Sequence, residues 1–155
     1  MYGSIDSPWV PTPKEVVDYV MDIASVSYGD IVYDLGCGDG RIVIEAARRG
    51  ANAVCVEIDT KLIEIAKRNA VEMGVSDRIE FVNDDIINVD LSRASVIYLY
   101  LTSKSIERIK HKMLSEVKPG TIIIALDYGI EHLNSAAILA IDVNNKTYKV
   151  YVYIV

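Results

Sequence analysis

Short β-type apolar runs alternate with segments of helical periodicity along this chain, and that alternation constrains the fold more than any other feature. Ile31 to Leu35, Ala53 to Ile58, Arg78 to Val82, Ser95 to Leu101 and Thr121 to Asp127 read as strands, rich in β-branched residues. Between them lie helical stretches, one running to Arg49 with Gly50 as its stop, one from Lys61 to Met73 ended by Gly74, and one from Ser103 to about Val117. An earlier helix opens at Thr12-Pro13-Lys14-Glu15, where Thr12 is expected to cap, Pro13 to take the first helical position and Glu15 to complete a capping box. Asp59 or Thr60 is expected to cap the helix after the second strand, and Ser103 the last one. Strands alternating with helices specify parallel crossovers in an α/β sheet.

The chain ends differently. Ala136 to Val143 and Thr147 to Val155 are both β-like, with only Asn144-Asn145-Lys146 between them. So short a connection forbids a parallel crossover and predicts an antiparallel hairpin. The reading is therefore one domain over residues 1–155, a doubly wound α/β sheet of about seven strands with its last pair antiparallel.

The segment Asp34-Leu35-Gly36-Cys37-Gly38-Asp39-Gly40 joins the first strand to a helix. Glycines there permit a sharp turn and close approach of a ligand, and open α/β sheets bind ligands beyond the carboxyl ends of their strands. The spacing is G-x-G-x-G, not the G-x-G-x-x-G of dinucleotide sites, and Asp34 and Asp39 would repel a pyrophosphate. They suit a cationic ligand such as S-adenosylmethionine, which carries a sulfonium and an ammonium group and no phosphate. Glu57, 19 residues beyond Gly38, is placed to accept hydrogen bonds from ribose hydroxyls. In Asn83-Asp84-Asp85-Ile86 a carboxylate can accept from an adenine amino group, with Ile86 against the ring. Three successive strand ends thus carry acids at one crevice.

Other features narrow the class. The net charge of −6 argues against bulk binding to nucleic-acid backbones and suits basic partners. No apolar run reaches the ~18 residues of a membrane helix, and the N-terminus lacks the pattern of a signal peptide. Cys37 and Cys55 stand at no metal-ligand spacing and are expected to be reduced core residues of a cytoplasmic protein. No metal site is expected. The chain has no Gln and is rich in Ile, Val, Lys and Glu, a composition that leans thermophilic. His111 and His132 lack a nucleophile-elbow setting. Lys104, Arg108, Lys110, Lys112 and Lys118 form a basic run, expected as an exposed helix face.

With these residues in view, the chain resembles the class I S-adenosylmethionine-dependent methyltransferases along nearly its whole length. Trp9-Val10-Pro11-Thr12-Pro13, Val16-Val17 and the string from Val32 to Ile44 resemble, more narrowly, the small archaeal protein-lysine methyltransferases and their mitochondrial relatives. The resemblance implies a Rossmann-like sheet of order 3-2-1-4-5-7-6 and lysine side chains of proteins as substrates, with broad choice of protein. It implies that Asp34, Gly36, Cys37, Gly38 and Gly40 line the methionine part of the cofactor. Glu57 and Ile58 would serve the ribose, and Asp84, Asp85 and Ile86 the adenine. The Trp9-to-Thr12 segment, Pro11 included, would fold over the cofactor as a partial lid. The Asn/Asp-Pro-Pro-Tyr motif of many amino-group methyltransferases is replaced by Tyr98-Leu99-Tyr100-Leu101-Thr102, which argues against adenine methylation of nucleic acid.

Methyl transfer is an in-line displacement that needs positioning more than acid–base chemistry. A lysine must lose its proton to attack, and removal from water lowers its pKa from about 10.4. No dedicated base is then expected. Tyr98 and Tyr100 are the expected walls of a lysine channel, with only one of the two facing the cofactor. Lysine-rich chromatin or ribosomal proteins suit the acidic chain as partners, with no membrane or direct nucleic-acid substrate, and a monomer is expected. The alternatives are a small-molecule methyltransferase of corrin-precursor type, an RNA methyltransferase and a non-catalytic cofactor-binding module.

Overall fold

A computed structural model describes residues 9–155. Its centre is a seven-stranded sheet, β1 (Ile31–Leu35), β2 (Asn52–Val56), β3 (Ile79–Val82), β4 (Val96–Leu99), β5 (Ile122–Leu126), β6 (Ala137–Val143) and β7 (Lys146–Ile154). The spatial order is β3-β2-β1-β4-β5-β7-β6. The first five strands are mutually parallel, and β7 runs antiparallel to both β5 and β6. The order and the terminal hairpin are those the resemblance implied. Several strands end short of the apolar runs: Glu57 lies one residue past β2, where its amide still donates to the Val82 carbonyl at 3.0 Å, and Tyr100 lies one residue past β4.

Four helices cover the sheet, α1 (Lys14–Ile23), α2 (Arg41–Arg48), α3 (Thr60–Glu72) and α4 (Ser103–Glu116). Val16, Val17, Val20 and Met21 of α1 pack with Ile42 and Val43 of α2 and Ala66 and Ala70 of α3 on one face, against Val32, Cys55 and Tyr98. Ile106, Ile109 and Met113 of α4 pack on the other face against Tyr33, Leu35, Val54, Ile97 and Leu99. Alternation of side chains along each strand supplies both faces, which is why the strands read as continuous apolar runs.

Four expectations are corrected. Thr12 does not cap α1. Pro13 holds the cap position and no side chain bonds there, since the Thr12 hydroxyl is hydrogen-bonded to the Tyr98 phenol at 2.8 Å inside the core. Thr102, not Ser103, caps α4, accepting from the Ser105 amide. The connection between β6 and β7 is two residues, Asn144 and Asn145, both left-handed at φ 50° and 66°. That is the backbone of a two-residue hairpin turn, which Asn tolerates.

The fourth correction concerns the cysteines. Cys37 and Cys55 form a disulfide. The Gly36 and Cys37 amides both donate to the Val56 carbonyl, at 2.8 and 3.0 Å, so the loop after β1 folds back over the end of β2. This brings the two Cα atoms to 5.3 Å, within bonding range. The expectation of reduced thiols considered each cysteine's apolar surroundings and not this return of the loop.

Candidate active site

The loop after β1 is built on left-handed glycines. Gly38, at φ 56°, lies under the Trp9 indole, and a Cβ there would collide with Nε1. Gly40, at φ 87°, caps α2, where a Cβ would press against Ala66 Cβ at 3.0 Å. Only glycine meets both the conformation and the approach.

Asp34, the fourth residue of β1, is buried, and its carboxyl makes no hydrogen bond among the described residues. Burial, and then the charges of Glu57 and Asp39, push its carboxyl well above the ordinary range. Glu57 lies just past β2 and is fully buried. Its Oε1 accepts from the Gly38 amide at 2.8 Å and its Oε2 from the Asp59 amide at 3.0 Å. Burial raises its pKa, against the lowering effect of those amide donors. Asn83, after β3, donates to the Glu57 and Ile58 carbonyls and ties the second and third strand ends together.

Asp84 and Asp85 shape the next turn. Asp84 accepts from the Asp85 amide and from Asn88, and Asp85 accepts from the Ile87 amide and, at 2.7 Å, from Arg108. Ile86 begins the short 3-10 turn that Asp85 caps. The basic run on α4 is largely engaged. Besides Arg108, Lys112 pairs with Glu116 and Lys110 reaches the Glu131 carbonyl.

A cavity of about 20 Å³ lies against the loop, bounded by Trp9, Thr12, Asp34, Gly36, Tyr98 and Tyr100 among others. Both tyrosines line it. The expectation that only one could face the site is corrected, because residues two apart on a strand point the same way. Tyr98 is the cross-strand neighbour of Asp34. Burial raises the phenol pKa of both tyrosines, so each is protonated at neutral pH and acts as a hydroxyl, not a phenolate base. A second cavity, of about 190 Å³, shares Val10 and Tyr100 with the first and adds Asp127, Tyr128 and Lys146.

Arg41 escaped the sequence reading. It binds Asp39 through Nε and Nη2, at 3.0 and 2.6 Å, and donates from Nη1 to the Thr12 carbonyl at 2.8 Å. This one side chain neutralises the loop's partly buried acid and clamps the 9–12 segment over the loop. An Arg at the first position of a helix is ordinary in sequence, so no local signal marks it. Asp127 and Lys146 were missed for the same reason. Among the described residues no group of three or more His, Cys, Asp or Glu is placed to hold a metal.

A carboxylate that is buried, unpaired and open to a cavity fits a cationic ligand, and the glycine loop fits close approach of its backbone. Comparison with known proteins agrees. The family described as "ANTKMT methyltransferase domain" matches residues 34–137. A "Protein-lysine N-methyltransferase" of Saccharolobus islandicus is 39% identical over 96% of this chain and 93% of its own length. The chain belongs to this methyltransferase family.

The methyltransferase is also similar to a solved structure from Salinibacter ruber, described as an RNA methyltransferase in complex with S-adenosyl-L-homocysteine. That protein is 38% identical with a TM-score of 0.86, covering 94% of this chain and 93% of its own. A human lysine N-methyltransferase that acts on ATP synthase is 28% identical over 81% of this chain, which spans about half (53%) of the human protein. The methyltransferase uses S-adenosylmethionine. No helix of the described residues is long and apolar enough to cross a membrane.

Proposed function

We propose that this enzyme transfers methyl groups from S-adenosylmethionine to lysine side chains of proteins, with broad choice among basic, lysine-rich substrates such as chromatin or ribosomal proteins. The observation that carries the reading is the near full-length likeness to the Saccharolobus islandicus protein-lysine N-methyltransferase. The same reading takes the chain as a single-domain, monomeric, cytoplasmic enzyme of a thermophilic, archaeal type, with no membrane partner.

When bound, the cofactor supplies an electrophilic methyl group on a sulfonium centre. The protein's own residues do the rest. Asp34 would face the positive charge of the methionine part, beside the backbone of Gly36, Cys37, Gly38 and Gly40. Glu57, already oriented by two amides, has lone pairs left for the ribose hydroxyls, next to Ile58. Asp84 or Asp85 would accept from the adenine amino group, with Ile86 against the ring. Admission of the ligand requires the Trp9 indole to lift from Gly38, and Pro11 and Thr12 would then border the bound molecule as a lid.

Tyr98 and Tyr100 would line the path of the lysine. An amine enclosed by tyrosine rings and cut off from water loses its proton more readily than in solution, so positioning replaces a dedicated base. Tyr98, held by Thr12, forms a fixed wall, while Tyr100 borders both cavities.

RNA as acceptor is the second reading, favoured by the description of the Salinibacter ruber structure. Radiolabelled cofactor added with the enzyme to cell extract separates the two. Label lost on protease treatment is expected. Label lost only on nuclease treatment, or found only in small solutes, would overturn the lysine reading.

A further inference from the structure

A lysine, Lys146, lines the second cavity. The Lys146 ammonium lies 3.2 Å from Asp127 Oδ2 and 4.3 Å from the centre of the Tyr148 ring. The Tyr100 hydroxyl donates to the same oxygen at 3.4 Å. Asp127 directly follows β5 and is left-handed at φ 64°, a conformation rare outside glycine. Its backbone amide donates to the Lys149 carbonyl at 2.8 Å, and its Oδ1 accepts from the Lys149 amide at 3.1 Å. One carboxylate oxygen is thus fixed by β7. The other is turned toward the cavity that adjoins the Asp34 cavity across Tyr100.

We propose that Asp127, Tyr100 and Tyr148 are the ammonium seat of the acceptor channel, that Lys146 occupies it in the free protein, and that a substrate lysine displaces Lys146 to enter. This rests on the lysine reading above. An anionic oxygen with an aromatic face beside it selects a primary ammonium over a neutral side chain, through a charge-assisted hydrogen bond and a cation–π contact. The seat loads the acceptor as an ammonium at the mouth; on leaving the seat it gives its proton to water there, and the neutral amine advances past Tyr100. Because Lys146 is on a strand and half exposed, it can swing into solvent without disturbing the sheet.

The test uses a short synthetic peptide with one lysine among neutral residues, and a second in which norleucine replaces that lysine. Binding to the full-length enzyme loaded with S-adenosyl-L-homocysteine is measured by calorimetry, and kcat and KM by methyl incorporation. Asp127→Asn keeps the bond to the Lys149 amide and a residue that tolerates the left-handed backbone, and matched melting temperatures verify folding. It is expected to weaken lysine-peptide binding and raise KM about ten-fold, with kcat within two-fold. Lys146→Met removes the competitor and is expected to tighten binding and lower KM about as much. Neither variant should alter the residual affinity for the norleucine peptide. An unchanged lysine-peptide affinity in either variant overturns the seat. If the wild type binds the lysine peptide with these responses but methylates no lysine in any protein, the seat stands and the lysine-transfer reading falls. If lysines are methylated and the variants match wild type, the reverse holds.

Discussion

Burial controls the charge of Asp34. Its folded pKa lies well above that of the unfolded chain, and that of Glu57 is raised in the same direction. As pH rises past about 4, the unfolded carboxyl ionises first. The folded state is therefore not penalised at low pH and loses stability as pH climbs toward the folded pKa. Asp34→Asn should melt above wild type in the absence of cofactor, by a margin that grows from pH 4 upward. The same variant should bind S-adenosylmethionine about 10- to 100-fold more weakly by calorimetry, since a charged partner is lost. A wild-type melting temperature at all pH values, with unchanged affinity, would contradict the role of Asp34. Two other residues contrast hydroxyls. Among the described residues the buried Tyr33 hydroxyl makes no hydrogen bond of good geometry and has only the nearby Arg93 guanidinium to interact with, so Tyr33→Phe should leave stability nearly unchanged. Tyr98→Phe strands the buried Thr12 hydroxyl and should cost about 1–2 kcal/mol in chemical denaturation. Asp34 and Glu57 were legible because a strand end and its spacing identify them. The shared face of Tyr98 and Tyr100 was equally legible from the two-residue period and was misread.

Among the elements, the β6–β7 turn and the loop after β1 carry the sharpest consequences. Asn145 at φ 66° should accept Gly with no loss, whereas Asn145→Val should cost about 1–2 kcal/mol, measured by denaturant unfolding. The Cys37–Cys55 bond closes a loop 18 residues apart, and replacing both cysteines by Ala should cost about 3 kcal/mol. Native protein should then titrate as free of thiols. Trp9 is the chain's single tryptophan and rests on Gly38. Its fluorescence should change saturably on cofactor titration, and a flat response would show that the 9–12 segment does not move. The strands, helices and terminal hairpin could be read from periodicity because each is a local pattern. The disulfide, the Arg41 clamp and the Asp127–Lys146 pair could not, since each joins residues that only the folded chain brings together. Arg41 meets Thr12 across 29 positions, and Lys146 meets Asp127 across 19.

At the scale of the whole molecule, a chain of net charge −6 surrounds a crevice walled by the buried carboxyls of Asp34 and Glu57. With the basic protein acceptors proposed above, long-range attraction would speed encounter, so kcat/KM toward a lysine-rich peptide should fall with added salt over the range where the Debye length shrinks below ~10 Å. Sheet order was legible only through the resemblance, because alternation specifies parallel crossovers but not which strand lies beside which. The central claim is that this crevice presents a methyl donor to lysine. Its most direct test is tandem mass spectrometry of a lysine-rich protein after incubation with isotopically heavy S-adenosylmethionine and either wild-type enzyme or Asp34→Asn. The account predicts heavy methyl groups on lysine side-chain nitrogens with wild type and their near absence with the variant. Lysine side chains left unlabelled by the wild-type enzyme would contradict it.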